Sequence, residues 1–378
     1  MLVASNPILF RNIHMSNIRN SRETFTSALG IRYPIVQGPM NGASPIELAT
    51  AVSNAGGLGS FAAALLAPAA IIEAVKKIRT LTSQPFNVNL FILEQVQPSV
   101  AEIAAAQALL LPFRTELGLG PAVTPQKFSE NFKDQLAALL EAAPPVVSFT
   151  FGILDAATVA QFQRKGCKVI GTVTSVAEAL AWEQAGADFI CIQGGEAGGH
   201  RATFLGDIEQ SCIGLLTLIP QVAAAVKLPL IAAGGIMDGR GIAAAQLLGA
   251  QAAQLGTAFL ATPESGIAPA WREQLASAKD DSTRMTRSFS GRYARGIVNA
   301  FMEQMRPHEN TLPPYPVQNA LSGEIRQAAA RQGRPEFMSL WAGQGVAMTR
   351  PMPAAQLVAT LAAELQAAAS HQPREETA

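Results

Sequence analysis

Apolar positions in this chain cluster into short continuous runs instead of alternating residue by residue. The runs are Pro34–Gln37, Leu58–Phe61, Phe86–Phe91, Val146–Phe151, Lys168–Thr172, Phe189–Gln193, Pro229–Ala233 and Ala252–Gly256. Runs of that length and composition read as strands buried on both faces of a parallel sheet. Alanine-rich stretches with helical periodicity separate them: Pro45–Asn54, Pro68–Arg79, Ser99–Leu117, Pro125–Ala142, Ala156–Lys165, Ser175–Ala185, Ser211–Val226 and Gly239–Leu248. Ser44 and Ser175 stand where N-caps belong, and Gly56 where a helix stops. Eight strands alternating with helices over about 225 residues predict an α/β protein, a parallel (β/α)8 TIM barrel. A doubly wound open sheet is the alternative. No G-x-G-x-x-G opens the first helix, which weighs against a dinucleotide fold.

Beyond about Pro263 the pattern becomes irregular and rich in arginine and proline, as in Leu312-Pro-Pro-Tyr-Pro-Val317. Two helices are expected there, Ala320–Gln332 and Pro353–Ala369. The expected division is an N-terminal extension over 1–27, the barrel over 28–265, a C-terminal subdomain covering the barrel mouth over 266–370, and a tail over 371–378. The first twenty residues hold Arg11 and Arg19 but no acid before Glu23. They lack the amphipathic helix of a transit peptide and read as an extension.

Composition narrows the functions open to such a fold. Lys+Arg and Asp+Glu are both 28, so no global field draws the chain to nucleic acid or to an anionic membrane. No apolar run is long enough for a spanning helix. Cys167, Cys191 and Cys212 form no C-x-x-C pair, which points to buried thiols, a cytoplasmic location and no zinc site. A homodimer is compatible with all of this.

The chemistry gathers at the expected strand ends. Phe189–Gln193 runs into Gly194-Gly-Glu-Ala-Gly-Gly-His200, where glycines let the backbone approach a ligand and Gln193, Glu196 and His200 supply polar groups. Gly234-Gly235 and Gly256-Thr257 follow the seventh and eighth strands. Loops there present free backbone N–H groups, the place where barrels commonly bind phosphate. Amides facing such a site, Asn89 and Gln193, suit the carbonyls and nitrogens of a flavin mononucleotide ring, with Pro39 and Met40 along its face.

Gln37-Gly-Pro-Met40, Gln193 to Arg201, Ala232-Ala-Gly-Gly-Ile-Met-Asp-Gly-Arg-Gly241 and Gln254-Leu-Gly-Thr-Ala-Phe-Leu260 resemble the nitronate monooxygenase family. Phe289-Ser-Gly-Arg-Tyr-Ala-Arg-Gly296 and Leu340-Trp-Ala-Gly-Gln-Gly345 are similar to C-terminal motifs of its first class. The resemblance runs from about Tyr33 to the last expected helix. It implies an FMN-containing barrel with a smaller second domain. Carried over, Met40, Asn89, Gln193, Gly198, Gly235 and Gln254, Leu255, Gly256 and Thr257 would contact FMN, with Gly199 and Gly234 flanking. His200 would be the base or the group that polarises substrate; the resemblance assigns Glu196 no role. It implies oxidation of alkyl nitronates, and of nitroalkanes once deprotonated, by O2 to a carbonyl compound and nitrite. With only Tyr33, Tyr293 and Tyr315, the aromatic residues that shape the pocket in relatives are expected to be missing. The rival readings are a flavin-dependent enoyl-thioester reductase, an NAD(P)H-quinone reductase or a non-catalytic phosphate-binding barrel. NAD(P)H is expected to reduce the flavin poorly.

Overall fold

Eight parallel strands follow one another around a cylinder in the computed structural model, which describes residues 24–370. The expectations for residues 1–23 and for the tail fall outside the described residues. The strands, in chain order, are β1 (Ile35–Gln37), β2 (Gly59–Ala62), β3 (Phe86–Phe91), β4 (Val146–Thr150), β5 (Lys168–Val173) and β6 (Phe189–Gln193); β7 (Gly199–His200) stands outside the barrel; β8 (Leu230–Ala233) and β9 (Ala252–Leu255) complete it. The hydrogen-bonded order is β1-β9-β8-β6-β5-β4-β3-β2. A bridge between Val36 and Leu58 closes the ring, with Gln37 N–H donating to Leu58 O at 2.9 Å. Parallel neighbours need crossovers, and the helices between strands supply them.

Two apolar layers follow from that closure. Strand residues such as Val147, Val169 and Ile192 pack outward against the helices. Inside the cylinder, Val36, Val146, Ile170, Phe189 and Ile231 pack together. Phe25, Leu29 and Ile31 join this inner cluster, and the Phe25 and Phe189 rings meet edge-on at 5.2 Å. Residues 24–27 were expected in an extension. They belong to a helical turn over 24–29 that packs into the barrel interior. The asparagines that interrupt β3 are also explained. Asn87 donates to Ser60 Oγ (3.1 Å) and Ser148 Oγ (2.9 Å), and Asn89 to Ser148 O (3.1 Å). These amide N–H groups are spent on Ser60 and Ser148 of neighbouring strands within the barrel, whereas the buried Asn87 Oδ1 finds no partner among the described residues.

Several helix boundaries move for local reasons. Ser44 caps no helix; its hydroxyl bonds instead to Met40 N–H and O. The helix expected over Pro125–Ala142 starts only at Phe132, where Asn131 accepts the N–H groups of Lys133 and Asp134. The one expected from Ser211 starts at Leu215, after Gly214.

Two antiparallel strands, β10 (Thr283–Thr286) and β11 (Ala294–Ile297), were not expected from the sequence. β11 pairs with β7, so that Ala294 faces His200 and Arg295 faces Gly199. A loop of the barrel thereby becomes the third strand of a small sheet built by the C-terminal segment, the cap. The helix Val100–Glu116 also packs into the cap, with Phe113 against Phe301 at 4.5 Å. The last helix, Ala354–Ser370, does the reverse: Leu357, Val358, Leu361 and Leu365 pack with the barrel core. Packing thus divides the unit expected over 266–370.

Phe25→Ala should destabilise the fold by about 3–5 kcal/mol, the usual cost of emptying a buried aromatic site. Urea unfolding of the two proteins measures it, and a cost under about 1 kcal/mol would show that the 24–29 turn contributes little to the barrel.

Candidate active site

The C-terminal ends of the strands open on a cavity of about 250 Å³ beneath the cap. Met40, Asn89, Gln193, Gly198, Gly199 and His200 line it, as do Gly234, Gly235, Gln254, Gly256 and Thr257. Leu255 does not. Its position on β9 alternates away from the mouth, and its side chain is buried in the core between barrel and helices.

One wall is made of backbone. Gly234 and Gly235 have φ of +132° and +68°, which L side chains rarely adopt. Both line the cavity, and among the described residues no acceptor takes either amide N–H. Gly256 and Thr257 lie alongside, and Gly343 N–H donates to Thr257 Oγ1 at 2.9 Å. A Cβ on Gly198 would come within 2.5 Å of Gly343 N, so the sixth loop and the 343–345 turn touch backbone to backbone. That turn was missed as a site element, although its residues lie in the Leu340–Gly345 motif.

Glu196 gains a role that the sequence did not supply. Its carboxylate accepts Leu215 N–H at 2.8 Å and caps the following helix, and its carbonyl accepts Gln344 N–H at 2.9 Å. Gln193 is engaged too. Its Oε1 accepts from Arg201 Nη1 (3.0 Å) and Ala202 N–H (2.9 Å), and its Nε2 donates to His200 O (2.9 Å). This amide fixes the path of the chain carrying His200.

His200 forms the opposite wall. Its ring lies 5.4 Å from both Tyr315 and Trp341 and 5.8 Å from Phe151. Phenylalanine, tryptophan and Tyr315 therefore furnish the aromatic lining that was expected to be missing. Phe151 holds φ of +76°, a strained value for a large residue, and the Arg292 guanidinium sits over its ring at 4.1 Å. The His200 Nε2 is 2.8 Å from Ser290 Oγ. Ser290 donates its one proton to Arg292 O at 3.0 Å, so His200 Nε2–H is the donor and the free lone pair lies on Nδ1. Burial, then the Arg292 and Arg326 charges, push the His200 pKa down to about 3. At neutral pH it is an uncharged imidazole. Of the cysteines, Cys167 and Cys191 are buried as expected, whereas Cys212 is exposed.

Fold and cavity together define a TIM-barrel enzyme class, with the cavity at the strand C-termini where such barrels carry their active sites. The nitronate monooxygenase family model matches residues 22–364. A probable nitronate monooxygenase of Staphylococcus haemolyticus is 42% identical over 84% of this chain and 90% of its own. A nitroalkane oxidase from Streptomyces ansochromogenes superposes with a TM-score of 0.84 at 41% identity, covering 91% of this chain and 98% of that one. FabK from Thermotoga maritima superposes at 0.71 with 29% identity, covering 91% and 96%. The chain belongs to the nitronate monooxygenase family, oxidoreductases that are generally flavin-dependent. Among the described residues no helix is long and apolar enough to cross a membrane.

A pKa lowered from 6.5 to about 3 means that neutral His200 stabilises the fold above pH 6.5. That contribution is lost as pH falls from there towards 3, because the unfolded chain takes up the proton first. In ring-labelled protein the His200 resonance, assigned by its loss in His200→Asn, should keep its neutral shift down to pH 5. A midpoint near 6.5 would contradict the buried, neutral assignment.

Proposed function

We propose that the enzyme oxidises preformed alkyl nitronates with O2 to a carbonyl compound and nitrite, using FMN seated in the barrel mouth. The observation that carries this reading is the pairing of unused Gly234 and Gly235 N–H groups with a neutral histidine across one cavity. The donor set fits a phosphate: backbone N–H groups at the seventh loop, with Gly256 and Thr257 beside them. Only one such cradle was read from the sequence, which favours FMN over FAD. Gly234, Gly235, Gly256 and Thr257 would hold the phosphate, with Met40, Asn89, Gly198 and Gln254 along the rest of the group. Bound there, FMN supplies the electron acceptor.

The protein's own tasks are then to bind the anion, orient it and exclude water. The cap does the last: Tyr315 and Trp341, from the C-terminal segment, close over His200 and lower the local dielectric. A histidine whose conjugate acid has a pKa of about 3 is a weak base for the α-proton of a neutral nitroalkane. This supports nitronates over nitroalkanes as substrates. The Nδ1 lone pair remains the one ring position able to take a proton.

Cofactor released from the purified protein should have the mass of FMN; FAD, or no flavin, would sink the assignment. Gly235→Val should yield largely flavin-free protein, since Gly235 lines the cavity and a side chain there, at φ of +68° and 3.2 Å from Glu196 Cβ, makes the turn shift; circular dichroism checks that the variant is folded.

The same geometry separates proton abstraction from the oxidation. His200→Asn, loaded with cofactor, should lose about 10²–10⁴-fold of any turnover of neutral nitroethane, and far less on preformed ethyl nitronate. Equal losses on both substrates would end the proposal that His200 moves the proton.

A further inference from the structure

A nitronate is an anion, and neutral His200 brings no charge to meet it. We infer that Arg326 holds the nitronate group and so selects nitronates over neutral nitroalkanes; this rests on the nitronate-oxidising function proposed above. Among the described residues lining the cavity, Arg326 is the one with a charged side chain. It stands on the helix Gly323–Gln332, which belongs to the cap.

Its contacts leave the charge uncompensated. Nη2 donates to Asn319 O (2.7 Å) and Oδ1 (3.0 Å), and Nε to Ser322 Oγ (3.2 Å). Among the described residues no carboxylate lies within ion-pair distance, and no acceptor takes Nη1. Tyr315, the group whose charge couples to it, is a phenol pushed up to about 12 by burial and stays neutral. A part-buried cation in a cavity wall without a counter-ion is costly, and an anionic ligand would offset that cost.

Other arginines near His200 cannot take the role. Arg292 commits Nε to Arg201 O (2.9 Å) and Nη2 to Thr203 O, and is not part of the cavity wall. Arg201 is fully buried and tied to the carbonyls of Gln193, Gly194 and Ser211. Arg326 lies with Tyr315 and Asn319 on the His200 side. The phosphate cradle is elsewhere, where a Cβ on Gly345 would press on Gly235 O at 3.0 Å. A guanidinium also matches a planar nitro group, whose two oxygens share the charge as a carboxylate's do.

The test uses cofactor-loaded enzyme and nitrate, an inert planar oxyanion, as probe. Nitrate should compete with ethyl nitronate in the wild type. In Arg326→Gln, the KM for ethyl nitronate and the nitrate inhibition constant should both rise about ten- to hundredfold, with kcat changed less and flavin content retained. Arg326→Lys, which keeps the charge, should recover part of the loss. The KM for neutral nitroethane should not move. Unchanged constants in flavin-loaded Arg326→Gln would overturn the assignment. So would equal loss of flavin from the Gln and Lys variants, which would make Arg326 a brace or a cofactor contact. If the Gln variant does not fold, failure of nitrate to compete in the wild type and in Arg326→Lys overturns it as well. Should the wild type not oxidise nitronates yet bind nitrate calorimetrically in an Arg326-dependent way, the anion site stands and the proposed reaction falls.

Discussion

The site depends on main-chain pairing between a barrel loop and the cap. Gly199 and His200 leave the barrel and join β11 as an edge strand. That pairing brings Ser290 to the imidazole and Arg292 over Phe151. It also places the aromatic wall over the mouth. Without it His200 would sit on a glycine-rich loop with no fixed direction, because glycines restrict the backbone so little. The loop is held from below as well, by Gln193 and by Arg201, whose guanidinium gathers the carbonyls around it. A strand pairing on one side and a side-chain clamp on the other convert a flexible segment into a rigid one.

Electrostatics follow from that enclosure. Arginines crowd a volume where carboxylates are scarce, and burial lowers Arg292 and Arg326 to about 10 without discharging them at neutral pH. Arg201 and Arg292 are satisfied by backbone carbonyls. Burial, with the charges of Arg292 and Arg326 added to it, keeps His200 neutral. Burial disfavours charge on the imidazole, whereas a guanidinium retains its own over the same pH range. The difference in charge state between a neutral histidine and a charged arginine is thus set by one environment acting on two different groups.

The barrel was legible because its signal is local. Each strand is a short apolar run and each crossover a helical one, so their alternation can be read along the chain, as Phe86–Phe91 and Phe189–Gln193 show. The glycines at 234 and 235 were legible for the same reason, since a turn after a strand advertises itself in composition. Boundaries were less so. Asn131 and Gly214 start helices later than periodicity suggested, because a cap competes with propensity at each end.

Sequence alone determined the alternation of strands and helices, the glycine loops at the strand ends and the residue types gathered there. Tertiary structure decided what those residues do. β10 and β11 are short strands without an apolar run, and β7, of two residues, pairs with β11 from far along the chain, so periodicity does not reveal them. The neutral state of His200 depends on rings and charges from Phe91 to Trp341, and the exposure of Arg326 to the cavity depends on how the cap closes. Ionisation and charge compensation are sums over neighbours in space, and those neighbours are chosen by folding rather than by proximity along the chain.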